Sequence, residues 1–168
     1  MKFLVVVDMQ VDFITGSLGS KMAENIVSNV VEKVKSFDGK VIFTRDTHYA
    51  DYMQTQEGKK LPVEHCIKDT DGWQICNQLR PYAETVVDKE TFGSIELPEI
   101  LKGYGEEIEE ITLCGLCTDI CVISNAMILK AAFPNVKITI DSKCCAGVSE
   151  ESHNTALNAM KAVQIEVV

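Results

Sequence analysis

The chain alternates short, unbroken apolar runs with segments of helical periodicity. KFLVVVD near the start is apolar and β-branched without interruption, the pattern of a strand buried on both faces. AENIVSNVVEKVKSF follows, with Ile26, Val27, Val30, Val31 and Val34 at 3.6-residue spacing. This predicts an amphipathic helix, and the DG after it predicts a stop. KVIFTRD, ETVVD, EEITLCG, VKITID and VQIEVV supply five further strands. A helix over residues 119–133, closed by Pro134, and another over 150–162 separate the last three. Strands alternating with helices imply right-handed βαβ units. The expected fold is therefore α/β: one domain over residues 1–168, with a mainly parallel six-stranded sheet covered on both faces.

Residues 46–84 break this rhythm. They carry little strand signal and many polar, Gly and Pro positions, and a loop of that length in a compact domain is usually functional. Ligands of open α/β sheets bind beyond the carboxyl ends of the strands. Asp8, Asp46, Asp88, Lys89 and Gly115 all fall just after predicted strands, so they are expected to converge on one edge.

Composition narrows the possible partners. A net charge of −9 and a pI of about 4.8 argue against a nucleic-acid surface and give no support for an anionic membrane. No segment approaches the roughly 20 apolar residues that span a bilayer. The opening MKFLVVVDMQ resembles a weak export signal, but Asp8 interrupts its apolar run and no small-residue cleavage site follows, so it reads as a strand. Seven cysteines, an odd number with two adjacent, then fit a reduced cytoplasmic chain.

Three groups of residues could carry chemistry. Cys121 is expected in the first turn of a helix, with Thr118 or Asp119 as N-cap, where unpaired amides and the helix dipole favour a thiolate. The alternative is a small buried apolar residue. Asp8 ends a buried strand, where desolvation raises a carboxyl toward the range of a general base, or where it caps a turn; Lys89 is the nearest candidate cation. Asp46 and His48 (D-x-H), with His65 beyond them, either offer an oxygen and two imidazoles to zinc, iron or manganese, with Glu57 as a fourth ligand, or are ordinary residues of a surface loop. His153, in a predicted helix, reads as a surface residue. Cys114 and Cys117 form a C-x-x-C that could belong to a redox or zinc-binding module. However, Cys114 lies in a strand, and the pair at 144–145 does not supply the second half of a zinc site.

Taken together, VVVDMQVDF, TRDTH, HC at 65–66, the lysine of DKETFGS and GLCTDICV resemble the isochorismatase-like cysteine hydrolases, in particular their nicotinamidase/pyrazinamidase branch. The resemblance implies a three-layer α/β/α fold with a parallel six-stranded sheet. It makes Cys121 the nucleophile, Asp8 the general base and Lys89 the third member of a triad. It also implies a cis peptide at Leu116–Cys117, with the amides of Cys117 and Cys121 forming an oxyanion hole. Asp46, His48 and His65, with Glu57 between the histidines, take the places of the branch's metal ligands, and zinc is the first choice of ion. The implied reaction is hydrolysis of a small amide, nicotinamide foremost, which belongs to NAD salvage. The expected partners are a small-molecule substrate and further copies of the chain in a homo-oligomer. Phe13 matches the family's aromatic pocket wall. Leu61 stands where a Trp often precedes the Pro, and Trp73 either replaces it or packs in the core. An N-carbamoyl or other small amide is the alternative substrate; true isochorismatase chemistry does not use the cysteine.

Overall fold

The computed structural model describes residues 1–168. Six strands form one parallel sheet: β1 (Lys2–Val7), β2 (Lys40–Asp46), β3 (Val86–Lys89), β4 (Glu110–Leu116), β5 (Lys137–Ala146) and β6 (Glu166–Val167). Their order is β3-β2-β1-β4-β5-β6, so the chain winds outward from β1 in one direction and then, from β4, in the other. β1 lies at the centre, and Phe3 through Val7 are fully buried, as its unbroken apolar run requires. Of the helices, α1 (Val11–Ile14) and α3 (Gln56–Lys60) are single turns, while α2 (Lys21–Ser36) packs across β4 and β5. The others are α4 (Leu97–Lys102), α5 (Ile123–Ala132) and α6 (Glu150–Ala162); α5 packs on both α4 and α6. The fold is the three-layer α/β/α expected. No helix is long and apolar enough to cross a membrane.

The periodic segments follow their patterns. In α2 the predicted stripe faces inward at Ile26, Val27, Val30 and Val34, and Ser20 caps it by accepting the Ala23 amide at 3.1 Å. α6 spans the predicted 150–162, with a Ser149–Ser152 capping box at its start. The predicted helix over 119–133 is in fact two segments, a π-helical turn at Thr118–Val122 followed by α5. α4 had no periodic signal, being six residues long with Pro98 in its first turn.

Residues 46–84 form a folded layer of bridges and short helical turns. His48 pairs with Ile67 and Gln10 with Ile75, and Tyr52–Gln54 and Arg80–Tyr82 are 3-10 turns. Gln10, fully buried, holds this layer to the sheet. Its Nε2 donates to the carbonyls of Asp46 (2.8 Å) and Trp73 (2.9 Å), and its Oε1 accepts the Asp46 amide at 2.7 Å.

Candidate active site

The reversal of winding lies between β1 and β4, where a doubly wound sheet opens a crevice beyond its carboxyl edge. Asp8 leaves β1 there, and the π-helical turn bearing Cys121 follows β4. Lys89 ends β3 and Asp46 ends β2, so four strands deliver polar groups to one edge. All four side chains are buried.

Lys89 connects them. Its Nζ lies 2.6 Å from Asp8 Oδ2, 3.6 Å from Cys121 Sγ and 3.5 Å from Asp46 Oδ1. The other oxygen of Asp8 accepts the Thr44 hydroxyl at 2.6 Å. Burial pushes the Asp8 carboxyl above its ordinary value, against the pull of Lys89. For Cys121 the outcome differs from the expected thiolate. Burial, then the Asp8 charge, push the thiol well above its usual range, and Lys89 only partly opposes them. The helix start supplies no side-chain cap either. Thr118 Oγ1 is 2.7 Å from His153 Nδ1, and Asp119 Oδ1 accepts the Val148 amide at 3.1 Å. His153 is thus half-buried and engaged, where a surface position was expected.

Asp46, His48, Glu57 and His65 form the second cluster, with one ligand atom of each within 4.8 Å of the others. Tetrahedral bonds of roughly 2.0–2.1 Å set neighbouring ligand atoms about 3.4 Å apart. The observed separations fit: His48 Nε2–Asp46 Oδ2 2.9 Å, His48 Nε2–Glu57 Oε1 3.7 Å, and His65 Nε2 3.6 Å from both Asp46 Oδ2 and Glu57 Oε1. His48 Nε2 is buried and has no hydrogen-bond partner, although it lies beside the Asp46 carboxylate. His65 Nδ1 donates to the Val63 carbonyl at 2.8 Å, which points Nε2 at the cluster. Burial alone would lower the His65 imidazole, but the carboxylates of Asp46 and Glu57 raise it to about 10. Burial would raise the Asp46 carboxyl, but the two imidazoles and Lys89 hold it well below the carboxylate range. The donor set is therefore built to hold positive charge, and a divalent cation fits it.

A cavity of about 880 Å³ opens over both clusters. Phe13, Leu61, Leu116, Ile120, Cys117 and Cys121 line it, as do Asp46, Glu57 and His65. Phe13 stands against His65, ring centres 5.5 Å apart. The Leu116–Cys117 peptide is cis, as the resemblance implied. Trp73 is a correction: it is absent from the cavity wall. Its indole is buried, donates to Thr47 Oγ1 at 2.9 Å and is covered by the Arg45 guanidinium at 3.3 Å, so packing holds it away from the substrate space. Phe92 supplies an aromatic wall that the sequence reading missed. It also missed Gln10 and Thr44, although DMQVDF and TRDTH contained them. The C-x-x-C lacks the setting of Cys121: Lys89 Nζ lies 3.6 Å from the Cys121 sulfur, whereas no charged side chain bonds the thiol of Cys114 or Cys117, and burial raises both.

The fold and this cleft define a hydrolase of the doubly wound α/β class. The chain belongs to the isochorismatase family, since the Isochorismatase domain profile matches residues 2–168. It is 26% identical to a nicotinamidase of Saccharomyces cerevisiae, covering 100% of this chain and 99% of that protein. Among solved structures it is similar to the pyrazinamidase of Pyrococcus horikoshii in complex with zinc, with a TM-score of 0.86, 26% identity, and 99% and 98% of the two chains covered. It is also similar to the N-carbamoylsarcosine amidase of Thermoplasma acidophilum, with a TM-score of 0.80, 26% identity, and 99% and 94% covered.

Proposed function

We propose that the protein hydrolyses a small carboxamide, nicotinamide foremost, to the carboxylate and ammonia. The observation that carries this reading is the shared position of Lys89, which lies within 3.6 Å of the nucleophile, the base and one ligand of the cation cluster.

Asp8 takes the proton of the Cys121 thiol as the sulfur attacks the carbonyl carbon. A thiol held protonated by burial needs such a base within reach, and the raised Asp8 carboxyl suits the task. Lys89 balances the negative charge on the thiolate. The tetrahedral oxyanion forms against the backbone amides of Cys117 and Cys121. Its collapse breaks the C–N bond, Asp8 returns the proton to the departing ammonia, and a thioester remains on Cys121. Water then attacks the thioester with Asp8 again as base, and the sulfur leaves as the thiol. A divalent ion, zinc first, held by Asp46, His48, Glu57 and His65 would supply a Lewis-acid anchor for a ring nitrogen of the substrate. Phe13, Leu61 and Phe92 would flank the ring.

An N-carbamoyl compound is a second reading, favoured by the likeness to the N-carbamoylsarcosine amidase and by Leu61 in place of a stacking aromatic. Ammonia release measured over nicotinamide, pyrazinamide and a panel of carbamoyl compounds separates the two. Turnover of carbamoyl compounds alone would overturn the nicotinamide reading. Cys121→Ala is expected to abolish release and Cys114→Ala to retain it. The reverse result would return the chemistry to the C-x-x-C.

A further inference from the structure

One buried amide outside both clusters joins the nucleophile to the cavity wall. Asn125, in the first turn of α5, is fully buried. Its Nδ2 donates to the carbonyls of Cys121 (2.8 Å) and Phe92 (3.2 Å), and its Oδ1 accepts the Ser94 amide at 2.9 Å. A primary amide has two N–H donors, so both are committed. Residues 90–96, which carry Phe92 past the cavity, contain no helix or strand and follow directly from Lys89. They can approach α5 because residue 93 has no side chain: a Cβ on Gly93 would meet Ile128 Cδ1 at 2.6 Å and Ser124 Cβ at 3.2 Å. Asn125 then holds the segment on both sides of that glycine, by the Phe92 carbonyl and the Ser94 amide.

We propose that Asn125 is the positioning residue that fixes the aromatic wall at Phe92 relative to the sulfur of Cys121, and through that separation decides which amides are productive. The proposal rests on the amidase reading above. A substrate pressed against Phe92 must bring its carbonyl carbon to Cys121 Sγ, and an error of about 1 Å there is worth on the order of 100-fold in rate. The bond to the Cys121 carbonyl and the bonds to the 92–94 segment come from one rigid amide, so neither anchor can shift without the other.

The test compares the full-length protein with Asn125→Leu, Asn125→Asp, Phe92→Leu and the Asn125→Leu/Phe92→Leu double variant. Asn125→Asp keeps the volume and the acceptor for Ser94 but loses both donors, and it serves if the leucine variant fails to fold. For nicotinamide, kcat/KM is expected to fall about ten-fold or more in each single variant, mainly through kcat. In the double variant it should fall no further, because Asn125 acts through Phe92. Hydrogen exchange of residues 90–96 is expected to accelerate while β1 and β4 keep their protection, and iodoacetamide should alkylate Cys121 at a changed rate. These two readouts need no substrate. A wild-type protein inert to nicotinamide would overturn the nicotinamide reading, and the exchange and alkylation data would still decide the coupling. Wild-type exchange at 90–96 in a folded Asn125 variant, or kcat/KM effects that simply add, would overturn the proposal.

Discussion

Asp8 carries more than one demand on a single residue. Its φ of 47° is left-handed, a region Asp tolerates better than most residues with a side chain. This turns the chain out of β1 with the carboxyl facing Lys89 on one oxygen and Thr44 on the other. Asp8→Asn keeps that shape and removes the charge. Its kcat/KM for ammonia release is expected to fall by at least about 100-fold, the contribution of a general base; a variant with wild-type turnover would remove Asp8 from that role. The same change leaves Lys89 buried with only Asp46, at 3.5 Å, as counter-charge. Urea unfolding should then show a loss of about 3 kcal/mol. Adding Lys89→Met should recover most of the stability and none of the activity. Asp8, Lys89 and Cys121 were legible in the sequence because each sits at the end of an apolar run or in the turn after one. Gln10, Thr44 and Asn125 were not. Their partners lie 31 to 63 residues away, or on the carbonyl one turn back, and such bonds leave no periodic trace.

At the level of elements, the carboxyl ends of β1 and β4 must come together for Asp8 and Cys121, the proposed base and nucleophile, to meet. Gly115 permits it. It pairs with Val7, has φ of 115°, and a Cβ there would lie 2.8 Å from the Val7 nitrogen and 2.9 Å from its carbonyl carbon. Gly115→Ala is both strained and crowded by backbone that cannot move aside, so a loss of at least about 2 kcal/mol in urea unfolding is expected. A variant as stable as wild type would show that the strand ends can separate. The strands and long helices were legible because continuous apolar runs and a 3.6-residue stripe are local signals. The π-helical turn was not, because its residues fit an ordinary helix start and only its docking against α6 and β4 distinguishes it. The layer over residues 46–84 was set apart by its length and its polar, Gly and Pro content, but its fold was not legible. Its bridges depend on Gln10 and on Asp12, whose Oδ2 accepts the Cys66 amide at 2.8 Å, and both lie far off in the chain.

Over the whole molecule, Asp46 ends a sheet strand while His48, Glu57 and His65 belong to the layer above it, so a bound cation would tie the layer to the sheet. At 100-fold excess over its Kd a ligand of the folded state adds about 2.7 kcal/mol. For a chain of this size that corresponds to a Tm higher by roughly 5–10 °C. Chelated protein is expected to gain this on addition of zinc, and Glu57→Gln to gain less; a Tm indifferent to zinc would dissolve the cation site. The proposed base and nucleophile stand at the ends of the paired strands β1 and β4, whereas much of the cavity wall sits on residues 13–23, 56–65 and 90–92, outside the sheet. The wall and the proposed catalytic residues are therefore different positions even where they adjoin, as Glu90 does Lys89. Point changes in that wall can then trade one proposed substrate for another while Asp8, Lys89 and Cys121 stay untouched.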